Sequence, residues 1–346
     1  MPVPVIQETP KELCKKARKQ LSRIGFAYLF GTALLIALEI SITMILEVVY
    51  PEGDYDSNLF MISNMLLRFL VAYPVMLLLL SLVKKGAPIP QKKMKAGDFP
   101  VAFFMAYAMA MVANIIGTLL TYIISAFQNS PLENDLQVTL LSLHPIWLIL
   151  FTCVGAPVFE ELIFRKALVD RAIYCGEGTA IILSGVMFGL FHGNLNQFIY
   201  AAVLGAFFAF IYIRTGKIRY TMILHAMVNG MAMVGTMFLK LLADQADFSA
   251  NSTMQVFQWM APDDNPVKLG MLLIGTVGLL VWLLAVAGFV ITGIVLWILK
   301  GKKIYLKSVG EAPIPKDRRF RTIFFNPGML AFVLVWIFVI GSSLFG

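Results

Sequence analysis

Long apolar runs with few or no charges recur along the whole of this 346-residue chain. They fall at about 24–49, 59–83, 100–126, 143–163, 179–192, 197–213, 220–242, 268–299 and 325–345. A hydrocarbon core about 30 Å thick is crossed by about 20 helical residues at ~1.5 Å each. The fifth and sixth runs are short for that task. Composition agrees with the pattern: 59% of residues are hydrophobic and 14% are charged, where a soluble domain carries about 25% charged. The expectation is an all-α, polytopic transmembrane helical bundle of about nine spans.

The net charge of +8 raises nucleic acid as a partner, and its distribution argues against one. Segments 1–23, 84–98, 164–178, 214–219 and 300–324 hold 25 of the 28 basic residues. The alternate loops carry acids instead: Glu52, Asp54, Asp56, Glu133, Asp135, Asp244, Asp247, Asp263 and Asp264. Basic loops mark the cytoplasmic side, so the N-terminus is expected inside and the C-terminus outside. The membrane is the expected partner, and a bacterial plasma membrane the expected location. The polar stretch up to Arg23 shows no small-residue cleavage signature, so the first run reads as a retained signal-anchor. Segment 301–324 reads as a surface segment near anionic headgroups. Cys14 and Cys175 fall in expected cytosolic loops and Cys153 in an apolar run, without ligand spacing, which argues against a disulfide framework or zinc finger.

Charge at membrane depth is costly and points to pairing or function. Glu39 and Arg68 lie at similar depth in the first two runs and are expected to pair. The other group is spread over three segments: Glu160-Glu161 with Arg165, Phe188 with His192, and His225 with Asn229. Each i,i+4 spacing puts its two ends on one helical face. Glu160 points about 100° from Glu161 and is free for another helix. With a turn near Arg171, Glu160, His192 and His225 lie roughly 16, 20 and 10 Å from the cytoplasmic helix ends. One buried polar pocket can hold all three.

A buried carboxylate beside imidazoles has the parts of a general-base site. An imidazole and an amide can hold the water or stabilise an oxyanion. Alternatively, Glu160, His192 and His225 could ligate a divalent metal such as zinc. Taken singly, each residue has a plainer reading: an interfacial Glu-Glu, an interhelical histidine, a packing amide.

The order EELIFR, FGLFH, HAMVN resembles the CPBP intramembrane protease family, also called the Abi or type II CAAX prenyl endopeptidase family. The similarity covers roughly 145–235 and includes Ala156-Pro157. It implies a helical core with a cytosol-facing cavity and proteolysis of a peptide or membrane-protein substrate. By motif position Glu160 activates water, His192 assists, and His225 and Asn229 orient water or stabilise the oxyanion. Glu161, Arg165 and Phe188 support the site. The family is described both as metal-dependent and as a metal-free glutamate type. Without an HExxH motif, the metal-free form is preferred, with a divalent metal such as zinc as the alternative cofactor. Lys166 stands where many members have Gly, which speaks against a prenylated substrate. His144 matches no motif position and is placed at the outer interface.

The expected organisation is a cytoplasmic segment 1–23, accessory helices 24–142, a catalytic core 143–242, and an outer loop with C-terminal helices 243–346. Two other readings stand beside the protease: a non-catalytic scaffold or immunity protein, and a proton- or ion-coupled transporter. The lack of an evident internal repeat counts against the transporter.

Overall fold

The structure, a computed structural model, describes residues 9–51, 56–128, 143–244, 266–306 and 310–345. Of the acids expected in outer loops, Glu52, Asp54, Glu133, Asp135, Asp247, Asp263 and Asp264 lie outside the described residues, as does Lys307 among the basic residues. The described residues are helical and contain no strand.

Among the described residues, eight helices are long and apolar enough to cross a membrane: α1 (Pro10–Val49), α2 (Asn58–Ser81), α3 (Asp98–Phe127), α4 (Pro145–Cys175), α6 (Leu195–Thr215), α7 (Ile218–Ala243), α8 (Val267–Lys300) and α10 (Pro327–Leu344). The remaining expected span, the fifth at 179–192, is the shorter α5 (Glu177–Leu190), which falls below that length. A one-turn helix, α9 (Arg319–Phe324), precedes α10.

Two helices depart from their expected limits for local reasons. α1 starts well before the apolar run, because Thr9 and Glu12 form a capping box and Pro10 takes the first position. Cys14 is thus helical rather than in a loop. α4 runs on past Arg171 to Cys175, where Gly176 (φ 101°) ends it. Counted along the helix, Glu160 is about 22 Å from that turn, deeper than the sequence spacing indicated.

α5 and α6 form a tight hairpin at the centre. A Cβ at Gly185 would come within 2.6 Å of the Ala202 carbonyl oxygen, so a small residue is needed for the backbones to meet. α3 packs on α6 and α8, α7 on α4 and α8, and α1 on α2 and α10. One apolar core joins α1, α2, α4, α5 and α10. A second joins α3, α6, α7 and α8.

The basic segments meet at one end of the bundle. Gln20 donates to the Lys84 carbonyl at 2.5 Å, and the Gly86 amide to the Asp170 carbonyl at 2.8 Å. The Lys92 amide donates to Thr215 O at 2.8 Å, and the Ala312 amide to Tyr174 O at 2.9 Å. Lys84 pairs with Glu311 at 2.9 Å, a hydrogen bond that raises the lysine pKa above its ordinary value. Five segments distant in sequence thus share one face. That convergence is the geometry the charge pattern requires.

At membrane depth, Arg68 Nη2 lies 2.8 Å from Glu39 Oε1, the expected pair. Helices α2 and α4 are interrupted by π-helical turns, at Arg68–Ala72, Ile149–Gly155 and Leu162–Ala167. Such turns shift the backbone ladder and release carbonyls that need other donors. Tyr28 Oη donates to Ile163 O and Ser184 Oγ to Phe164 O, both at 2.8 Å. In α4, the π turns flank the glutamate pair.

Candidate active site

The site is built outward from a fully buried ion pair. Arg165 Nε lies 3.2 Å from Glu161 Oε2, and neither side chain has exposed surface. The contact is not aligned as a hydrogen bond, and no nitrogen of the guanidinium has a hydrogen-bond partner. Aromatic faces take up the charge instead: the Arg165 guanidinium carbon is 4.3 Å from the Phe188 ring centroid and 5.5 Å from that of Phe208. Arg165 and Phe188 are therefore parts of one packing unit.

Glu161 does more than anchor Arg165. Its Oε1 is 3.0 Å from His225 Nδ1. A carboxylate paired with a guanidinium accepts, so Nδ1 carries the hydrogen and Nε2 is directed away from Glu161. On that far side stands Glu160, its Oε2 3.8 Å from His225 Nε2. The imidazole is thus set between the two adjacent carboxylates. Phe188 and Phe208 hold it, with ring centroids 5.7 and 5.8 Å away. Glu160 keeps 15% of its side chain exposed, whereas Glu161 keeps none. Of the pair, Glu160 is the one a small molecule can reach.

His192 lies just past the end of α5, in a turn rather than at the helix end. The chain reverses at Gly193 (φ 73°), and Asn194 caps α6 by accepting from the Gln197 amide at 2.8 Å. The expected relation to Phe188 holds, with ring centroids 4.9 Å apart. His192 Nδ1 is 2.8 Å from the Phe188 carbonyl oxygen. A carbonyl only accepts, so this nitrogen donates and Nε2 is left with its lone pair. His192 and Glu160 are within electrostatic reach of each other.

Asn229 is one turn beyond His225 on α7. Its Nδ2 donates to Thr152 O at 2.8 Å, a carbonyl inside the first π turn of α4. One amide hydrogen is thereby committed; the second and Oδ1 remain available. Lys166 points elsewhere. Its ammonium meets Asp170 at 2.8 Å and the Tyr212 hydroxyl at 3.1 Å. His144 caps α4, where its Nδ1 accepts from the Ile146 amide at 3.4 Å.

Glu160, His192 and His225 are also the residues that the sequence offers as ligands of a divalent metal. Among the described residues no three His, Cys, Asp or Glu side chains are grouped to hold an ion. The His225 Nδ1 bond to Glu161 leaves Nε2, on the Glu160 side, as the nitrogen that could ligate.

Several contributors were not singled out from the sequence. Thr152 is used through its carbonyl, which any residue would supply. Phe208 carries no polar signal. Tyr73 and Tyr200 lie within electrostatic reach of Glu160, as does Arg68, and intramembrane tyrosines are too ordinary to flag. The Arg68–Glu39 pair was legible, but not its nearness to Glu160.

The stretch of chain that carries these residues is similar to known proteins. A family profile described as type II CAAX prenyl endopeptidase Rce1-like matches residues 142–231. The protein YdiL of Bacillus subtilis (strain 168) is 25% identical over 197 residues, covering 55% of this chain and 79% of that protein. The membrane-embedded CAAX protease MroQ of Staphylococcus aureus (strain USA300) is 22% identical over 196 residues, covering 53% and 78%. CAAX prenyl protease 2 of Homo sapiens is 33% identical over 99 residues, covering 22% and 30%. No solved structure gives a significant match. Residues 142–231, which hold Glu160, Glu161, His192, His225 and Asn229, are thus the part of the chain that is similar to the CAAX-type membrane protease family.

Proposed function

We propose that this protein hydrolyses a peptide bond of a peptide or membrane-protein substrate, using a water activated by Glu160. The observation that carries the reading is the placement of His225, fixed by Glu161 on one side and facing Glu160 across 3.8 Å on the other. That separation is too long for a direct hydrogen bond and is the range in which a water can bridge.

Glu160 accepts the water proton as the oxygen attacks the peptide carbonyl. His225 and His192, both with Nε2 lone pairs, hold the water in line and take part in moving the proton. The second N–H of Asn229 is the neutral donor within the set for the developing oxyanion. The proton on Glu160 then passes to the leaving amine. Arg165 and Glu161 do not touch substrate; they fix the tautomer and position of His225. The basic face of the bundle is the cytoplasmic one by the charge rule, and cleavage is assigned to a cavity opening there. The bacterial plasma membrane is the proposed location.

The test uses the full chain in proteoliposomes and the most rapidly cleaved member of a quenched-fluorescence peptide library. Glu160→Gln and His192→Ala are expected to lower cleavage by about 10²–10⁴-fold, the range for a positioned base, with unchanged thermal unfolding. Cleavage at the unaltered rate by both variants sinks the assignment.

A further inference from the structure

At the basic end of the bundle, far in sequence from the glutamates, a cleft of about 360 Å³ lies between α1 and the α9–α10 junction. Arg18, Lys19, Ser22 and Arg23 form one wall, and Phe325, Asn326 and Pro327 the other. No acidic side chain lines it, and Arg18, Lys19 and Arg23 make no ion pair among the described residues. Lys19 and Arg23 stand at i,i+4 on one helical face, a like-charge pairing that is unfavourable without an anion. The walls are fixed by backbone contact. A Cβ at Gly328 would come within 1.9 Å of the Ser22 carbonyl oxygen, and the Gly328 amide donates to Ser22 Oγ at 3.0 Å. The helix that carries the cations is therefore packed directly against the start of α10.

Arg23 and Phe26 also border a second groove, of about 280 Å³, between α1 and the end of α2. Its remaining walls are wholly apolar: Ala27, Phe30, Leu79, Leu82 and Val83. A cationic cleft thus continues, through two shared residues, into an apolar groove that enters the membrane-spanning part of the bundle. An amphiphile with an anionic head fits both.

We propose that the two clefts form one binding site for an anionic phospholipid. The headgroup phosphate sits among Arg18, Lys19 and Arg23, and an acyl chain lies past Phe26 along Phe30 and Leu82. The site uses residues outside 142–231 and does not depend on hydrolysis. A soluble phosphate would use the cations but not the groove. Phe30 and Leu82 are 61% and 77% exposed, so they are free to take the chain.

The test measures thermal unfolding of the purified full chain in a neutral detergent. Long-chain phosphatidylglycerol, dihexanoyl phosphatidylglycerol, long-chain phosphatidylcholine and inorganic phosphate are each titrated. Long-chain phosphatidylglycerol is expected to raise the midpoint saturably, the dihexanoyl form to bind more weakly, and the other two to have no comparable effect. Each cation removed is expected to weaken apparent affinity about fivefold, and Arg18→Gln, Lys19→Gln and Arg23→Gln together roughly a hundredfold. Arg23→Gln alone serves if the triple variant does not fold. Neutralising the exposed Lys92, Lys93 and Lys95 to Gln is expected to leave the effect intact. Equal loss in both sets of variants, an equal effect of inorganic phosphate, or no midpoint shift would overturn the proposal.

Discussion

Helices α4 and α8 are both membrane-length and apolar, yet they do opposite work. The most apolar window of α8 has a mean hydropathy of 2.7 and is 11% buried; for α4 the values are 1.8 and 22%. α8 keeps its lysines, Lys268 and Lys300, at its two ends and has no π turn. It turns residues such as Leu284 and Ile298 outward, at 74% and 70% exposed. Inward, its tryptophans supply the polar ties: Trp282 donates to Met231 O at 2.8 Å and Trp297 to Met105 O at 3.0 Å. α4 carries Glu160, Glu161 and Arg165 in its middle and bends its ladder twice around them. The contrast separates two demands. Hydrophobicity decides that a helix resides in the membrane. Charge within it decides which neighbours it must have.

The contrast can be pushed hardest at the reacting carboxylate. Glu160→Gln is expected to remove cleavage by the factor given above, while Leu284→Ala on α8 leaves the rate unchanged in the same vesicle assay. Equal losses in both would erase the distinction.

Next in size is the buried pair. Arg165→Met strands the Glu161 charge, and a broken buried pair costs about 3–5 kcal/mol. Removing both charges, with Glu161→Gln and Arg165→Met, should be milder for stability than Arg165→Met alone, yet still lower activity, because His225 loses its orienting carboxylate. Denaturant titration alongside cleavage reads both quantities. A double variant less stable than the single would show that the pair is not mutually compensating.

Asn229→Leu tests the tie between α7 and the π turn. Leaving the Thr152 carbonyl without its donor costs about 1–3 kcal/mol, and the cleavage rate should fall with it. A variant as stable as the original would mean that the carbonyl finds another donor.

The smallest effect is expected on the lipid face of α8. Leu284→Ala should shift stability by no more than about 0.5 kcal/mol, as for substitutions away from packed features. A large loss there would reveal a contact that the structure does not contain.

The fold was legible because its signals are local or additive. Apolar runs locate spans wherever they stand, and the basic segments predict one common face whatever the helix packing. The i,i+4 relations of Glu161 with Arg165 and Phe188 with His192 also survived, since helix geometry alone imposes them. What escaped was decided between helices. Glu161, expected only to brace Arg165, also orients His225, because α7 approaches α4 on the side where both glutamates can meet one ring. The π turns have no composition signal, and they determine which carbonyls Tyr28, Ser184 and Asn229 must serve.

By itself, then, the sequence determined that this chain lives in a bilayer, which end of it is basic, and which few polar side chains are carried into hydrocarbon. Spacing and hydropathy are properties of a single helix and can be read along it. Only the tertiary structure decided that His225 sits between Glu160 and Glu161, and that three α1 cations share a cleft with the start of α10. Those relations join residues tens to hundreds of positions apart, and they depend on crossing geometry, on glycine contacts such as Gly328 against Ser22, and on where each helix stops.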